Sequence, residues 1–151
     1  MPQQLAVSFL RIVIAVSCVT LSSPALARLG DTEKQISALY GKPTKTPAQD
    51  EEGVITKIYH VKNYFILVEL EGGKSIAEAY AHIDSTPLYN KEIHAFLDVN
   101  SDGKTWTEKP GPTKRWDRSD GAGKAIYMNL DGQPMLWIRS RSVDDKLANP
   151  S

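Results

Sequence analysis

Hydrophobic positions along this chain follow helical spacing in two stretches and alternate in the stretches around them. The first helical stretch is punctuated at both ends. Thr32-Glu33-Lys34-Gln35 reads as a capping box, in which the Thr32 hydroxyl accepts from the Gln35 amide and the Gln35 side chain reaches back. Ile36, Leu39 and Tyr40 follow at i, i+3, i+4. Gly41 supplies a left-handed stop, and Pro43 prevents resumption. Residues 44–53, with Pro47 and the acidic run Asp50-Glu51-Glu52, read as an exposed loop. Alternation then predicts three strands, Val54 to Val61, Tyr64 to Leu70 and Ser75 to Ile83. They are joined by Lys62-Asn63 and by the hairpin turn Glu71-Gly72-Gly73-Lys74. In the third strand Ala77, Ala79 and Ala81 share one face, and Ile76, Glu78, Tyr80 and His82 the other. A row of alanines lets a helix approach a sheet closely, so the helices are expected on the alanine face.

The second helical stretch runs from about Lys91 to Val99, with Asn90 as N-cap, Glu92 in the first turn, and Ile93, Phe96 and Leu97 as its buried stripe. A short strand around Trp106 follows. Residues 109–124 hold Pro110-Gly111-Pro112 and Gly121-Ala122-Gly123 and read as a long irregular connection. Asp131-Gly132, set between Ala125–Leu130 and Met135–Arg141, is the strongest hairpin signal in the chain. The order predicts an α+β fold: an antiparallel sheet of about five strands with two helices packed on one face, α-β-β-β-α-(β)-β-β. Each half holds one helix and about three strands, a faint structural duplication without a sequence repeat.

The chain has 151 residues, enough for one domain. Its 41% hydrophobic and 24% charged residues are those of a folded globular protein. With 18 basic and 18 acidic side chains the net charge is zero, which gives no field to gather nucleic acid. The N-terminus changes the picture more. Arg11, the apolar run Ile12 to Leu21, and Ser22-Ser-Pro-Ala-Leu-Ala27 form a secretory signal pattern with a small-x-small site at Ala25-Leu26-Ala27. The expected organisation is a signal peptide over 1–27, one α+β domain over 28–143 and a disordered tail over 144–151. The mature chain is secreted or periplasmic and holds no transmembrane span, because the apolar run is too short for a stable anchor. Ala15-Val16-Ser17-Cys18 approximates a lipobox, an alternative fate for the single cysteine, Cys18.

Gly30-x-Thr32-x-x-x-Ile36-x-x-Leu39-Tyr40-Gly41-x-Pro43, after a signal peptide, resembles the opening helix of small periplasmic α+β domains. Among these are the small lipoprotein of the outer-membrane β-barrel assembly machine and β-lactamase-inhibitor-like domains. The chain as a whole resembles small secreted bacterial α+β proteins with no assigned activity. That likeness runs through Tyr40-Gly41-Lys42-Pro43, Asn100-x-x-Gly103-x-x-Trp106 and Trp116-x-Arg118-x-Asp120-Gly121. The first resemblance implies protein–protein contact on a sheet-plus-helix scaffold, without catalysis.

Candidate chemistry is sparse. Asp98-Val-Asn100-Ser-Asp102-Gly103 matches the first half of a calcium loop, with oxygen donors at alternate positions and glycine at the sharp turn. Its twelfth position is Lys109, where a bidentate Glu is wanted. His60, His82 and His94 show no ligand spacing. No Gly-x-Ser-x-Gly elbow, phosphate loop or dinucleotide fingerprint is present. Trp106, Trp116, Tyr127 and Trp137 cluster in the second half with Lys114, Arg115, Arg118, Arg139 and Arg141. The Asp131-Gly132 turn puts Met135, Trp137, Arg139 and Arg141 on one side of the last strand, where Trp and Arg are the usual contact residues. The expectation is therefore a non-catalytic binding domain for an unidentified protein or cell-envelope component, through Trp137, Arg139 and Arg141. No cofactor is expected. The alternatives are a weak calcium-binding module through Asp98, Asn100 and Asp102, and a hydrolase whose site leaves no motif.

Overall fold

The computed structural model describes residues 25–50 and 52–140. The expected signal segment through Pro24, Cys18 included, lies outside them, as do Arg141 and the expected tail. The elements are α1 (Glu33–Tyr40), β1 (Ile55–Val61), β2 (Tyr64–Glu71), β3 (Lys74–His82), α2 (Asn90–Val99), β4 (Trp106–Lys109), β5 (Arg115–Arg118), β6 (Gly123–Leu130) and β7 (Gln133–Ser140). All seven strands form one antiparallel sheet in the order β1-β2-β3-β7-β6-β5-β4. The fold is thus mostly β, which corrects the expected α+β sheet of about five strands. The stretch read as an irregular connection contains β5, where Trp116 is the lone fully apolar residue of a four-residue strand. Its neighbours Arg115 and Asp117 leave no hydrophobic alternation to read.

Each meander begins with a helix and ends at the middle of the sheet. β1-β2-β3 runs inward from one edge and β4-β5-β6-β7 from the other, and β3 pairs with β7 at the junction, Ala79 opposite Trp137 and Tyr80 opposite Leu136. Two-residue turns fix the registers. Gly72 and Gly73 adopt φ 58° and 76° between Glu71 and Lys74, and Asp131 and Gly132 adopt φ 50° and 85° between Leu130 and Gln133. Positive φ at both central residues is the type I′ geometry that matches strand twist.

The main core lies under the helices. Ile36 and Tyr40 of α1 and Ile93, Phe96 and Leu97 of α2 pack with Tyr59, Ile66, Val68, Tyr80, Leu136 and Ile138. Tyr80 stacks on Phe96 with ring centroids 4.1 Å apart. The helices therefore cover the Glu78-Tyr80-His82 face of β3, not the alanine face. Aromatic rings on the sheet meet large residues on the helices, and no small-residue row is needed for the approach.

Local capping differs in detail from expectation. The Thr32–Gln35 capping box is present. Gly41 has positive φ (80°), but its ψ of −150° lies outside the left-handed helical region, in a basin open essentially to glycine. α2 begins one residue early: Tyr89 is its N-cap, with its N–H donating to Glu92 Oε2 at 2.7 Å. The Asn90 side chain instead accepts from Lys114 Nζ at 2.9 Å.

Candidate binding face and buried acid network

The face of the sheet away from the helices carries a second, smaller cluster. Ala79, Ala81 and Met135 are buried at its centre, with Phe65, Leu67, Met128 and Trp137 packed around them. Cross-strand pairing explains the grouping: Phe65 lies opposite Ala81, Leu67 opposite Ala79, Trp137 opposite Ala79 and Ile126, and Met128 opposite Met135. The alanines are the floor on which these larger side chains lie. Arg139 continues the row beyond Trp137, opposite Ala77 and Lys124. Met135, Trp137 and Arg139 thus share this uncovered face. The Trp137 indole Nε1 is buried without a hydrogen-bond partner among the described residues. One row along, Glu69 is held above the usual carboxylate range by burial, against the opposing pull of Arg139. A shallow pocket of about 270 Å³ adjoins the patch, lined by Arg115, Asp117, Lys124, Ile126 and Arg139.

Under the helices lies a polar network that the chain order does not reveal. Glu78 is fully buried. Its carboxylate accepts from the Tyr80 hydroxyl and, at 3.0 Å, from Ser75 Oγ. Burial pushes its carboxyl up to about 7. The Tyr80 and Ser75 hydrogen bonds oppose that shift and Asp31 adds to it. Asn100 donates to Tyr80 Oη at 3.4 Å and to the Phe96 carbonyl at 3.1 Å, and accepts from the Leu29 amide at 2.9 Å. A cleft of about 580 Å³ opens beside this network, lined in part by Arg28, Asp31, Lys74, Asn100, Asp102 and Arg118.

This geometry bears on the calcium loop. Asn100 is 2% exposed and its carboxamide oxygen is already engaged by Leu29, while Asp98 and Asp102 are exposed. Among the described residues no group of three or more His, Cys, Asp or Glu is arranged to hold a metal ion.

The histidines also separate. His60 is exposed on β1 near Phe65, and His94 is exposed on α2. His82 is buried, with Nδ1 2.9 Å from Thr86 Oγ1 and Nε2 3.0 Å from Glu92 Oε1. A hydroxyl, an imidazole and a carboxylate in line resemble a nucleophilic relay. The Thr86 hydroxyl, however, donates to Asp84 Oδ1 at 2.7 Å, which takes the proton that a nucleophile gives to its base. Burial works against the Glu92 carboxylate, but hydrogen bonds from Tyr64, the Tyr89 amide and His82 outweigh it and hold its pKa below the ordinary value. The cluster ties the end of β3 to the first turn of α2.

No protein-family model matches the chain, and no curated protein matches it. Solved structures similar to it include a cysteine-rich secretory protein from Staphylococcus aureus. That likeness has 10% identity and a TM-score of 0.46, over 76% of this chain and 45% of that one. Another is an extracellular protein containing an SCP domain from Bacillus anthracis, at 14% identity and a TM-score of 0.44, over 91% of this chain and 51% of that one. The chain spans about half the length of each. At these identities and scores the likeness extends to neither activity nor location, and it does not bear on the resemblance to the barrel-assembly lipoprotein or the inhibitor-like domains. Among the described residues no helix is long and apolar enough to cross a membrane.

Proposed function

We propose that this chain is an exported, non-catalytic binding module that takes its partner on the uncovered face of its sheet. One observation carries the reading. Both helices pack on one side of a seven-stranded sheet, and the other side holds Phe65, Leu67, Met128 and Trp137 contiguously around Ala79, Ala81 and Met135. Contiguous apolar surface rimmed by charge is the usual mark of a contact site, and Trp and Arg are its usual anchors. Arg115, Lys124 and Arg139 with Asp117 and Glu69 supply the rim. The export half of the reading rests on Arg11, the apolar run and Ala25-Leu26-Ala27. The partner class is a protein or cell-envelope component that offers an apolar segment to Trp137.

The test is site-specific photo-crosslinking in the producing cells. A photoreactive phenylalanine analogue at Ile126, on the uncovered face, yields a discrete adduct. The same analogue at Leu39, exposed on α1, yields none. Trp137→Ala then removes the Ile126 adduct while the circular dichroism spectrum stays native. Adducts of equal yield at both positions, or none at Ile126, would sink the reading.

A further inference from the structure

The expected export signal ends in Ala25-Leu26-Ala27, yet its last residue is part of the core. Ala27 is fully buried, its N–H donates to Tyr40 Oη at 2.8 Å, and its carbonyl accepts from Tyr80 Oη at 3.5 Å. The next amide, Arg28 N–H, donates to Asp31 Oδ2 at 2.8 Å. Residues beyond it run beside the start of β3, where Gly30 N–H donates to the Ser75 carbonyl and Ser75 N–H to the Asp31 carbonyl. The Arg28 nitrogen is thereby held at a fixed place.

The surroundings of that nitrogen are rich in acid. Asp31 is 9% exposed and Glu78 is fully buried. Tyr40 faces the site from α1, Ser75 and Tyr80 from β3, and Asn100 from the end of α2. Around the adjoining cleft stand Glu71, Lys74, Asp102 and Arg118. Arg118 is engaged with Asp120 and the Asn100 carbonyl. The cation paired with Asp31 is the Arg28 guanidinium, 3.8 Å away on a side chain that is 59% exposed. Buried carboxylates call for a close, desolvated cation, and this pole of the molecule has an amide where one would sit.

We propose that cleavage after Ala27 converts the Arg28 nitrogen from that amide into an α-ammonium which stays against Asp31 and forms a buried ion pair. A signal-type peptidase uses one water to break the Ala27 C–Arg28 N bond. The water's hydroxyl goes to the Ala27 carbonyl carbon, which leaves as a carboxylate with the leader. The freed nitrogen takes up protons to become –NH3+. Its additional N–H groups, with water, take over the places beside the Tyr40 and Tyr80 hydroxyls that Ala27 occupied. Processing thus adds a buried cation beside Asp31, whose ion-pair partner among the described residues is the largely exposed Arg28 guanidinium. This inference rests on the export reading but is independent of the binding face, and concerns the opposite side of the sheet.

The experiment measures acylation of the α-amine. A chain beginning at Arg28 is treated with an amine-acylating reagent near pH 7 under native conditions, and the N-terminal peptide is followed by mass spectrometry. An ordinary α-amine has a pKa of about 7.7–8.0 and is readily acylated. A buried pair with a carboxylate shifts a pKa by about 1–3 units, so labelling of the native chain is expected to slow by about tenfold or more. Asp31→Asn restores the ordinary rate. So does a single serine placed before Arg28, which moves the amine off Asp31 and decides the matter if the Asp31 variant does not fold. An Arg28 amine that labels as fast as that of the serine-extended chain overturns the proposal. So does an exported protein whose N-terminal sequence starts at Leu26 or anywhere other than Arg28.

Discussion

Tyr80 and Trp137 belong to neighbouring strands of one sheet and point to opposite sides of it. Tyr80 is fully buried, stacked on Phe96 and hydrogen-bonded into the Glu78 network. Trp137 is partly buried against a floor of alanines, on the side of the sheet away from the two helices. The covered face is thus built from large rings that interlock with two helices. The uncovered face is built from long side chains lying flat across small ones. The first arrangement makes stability, and the second leaves apolar area to spare for contact.

Mutation of each ring breaks or sharpens that contrast most directly. Tyr80→Ala is expected to cost ~3–5 kcal/mol, the range for losing a large buried side chain. Trp137→Ala is expected to cost about 1–2 kcal/mol, nearer the ordinary range for point mutants. Urea midpoints measure both. Equal losses would make the uncovered face a second core and remove the basis of the binding reading.

The next effect is a pH dependence that belongs to the covered face. Glu78 sits at about 7 in the folded chain that keeps Ala27, against about 4.3 for an unfolded Glu. The folded state therefore holds the proton more tightly. Stability is full below about pH 4, falls as pH rises to about 7, and is flat above that, with a total change of about 3–4 kcal/mol. Glu78→Gln abolishes most of this slope. Glu69→Gln on the uncovered face removes a smaller part, since Arg139 offsets the burial there. A chain beginning at Arg28 shows a shallower slope than one that keeps Ala27, because an ammonium nearby favours the Glu78 carboxylate. Urea titrations from pH 4 to 8 on the four chains separate these cases, and a slope unchanged by Glu78→Gln would assign the loss of stability with rising pH elsewhere.

The smallest effect tests the helix cover itself. Thr32→Ala removes the capping box of α1 and is expected to cost ~1 kcal/mol. The loss is read as a lower urea midpoint with an unchanged m-value, and a smaller m-value would mean that α1 detaches from the sheet before the rest unfolds.

The parts of the fold that were legible in the sequence are those set by local chemistry. The Thr32–Gln35 box and the Gly72-Gly73 and Asp131-Gly132 turns need nothing beyond their own residues. A two-residue turn sets the phase of the strand after it, so Met135, Trp137 and Arg139 fall on one side by necessity. The alanine row was misread because small residues accommodate any bulky neighbour, and here the neighbours are Leu67, Phe65 and Trp137 from adjacent strands. β5 was missed because three of its four residues are charged. The buried state of Glu78 had no sequence signal at all. A carboxylate in an alternating strand ordinarily marks the wet side; the Ser75 and Tyr80 hydroxyls that bond it are neighbours on its own strand, but the helices that bury it and the Asn100 amide on Tyr80 come only with the assembled fold. The contacts of Ala27 with Tyr40 and Tyr80 had no local signal either, because those residues are distant in the chain.

The pairing of β3 with β7 also sets an order of events during synthesis. Among the described strands, the one that leaves the ribosome latest, or crosses a membrane latest, is β7, which occupies the middle of the sheet. Until it arrives the first meander carries an open edge at Lys74–His82, and the second has no inner wall. Joining the two requires closure of the whole chain between them, a slow and entropically costly step. The sheet is therefore kept from completing itself until the β6–β7 hairpin is present, and a truncation that removes β7 leaves two separate half-sheets instead of a shortened version of one.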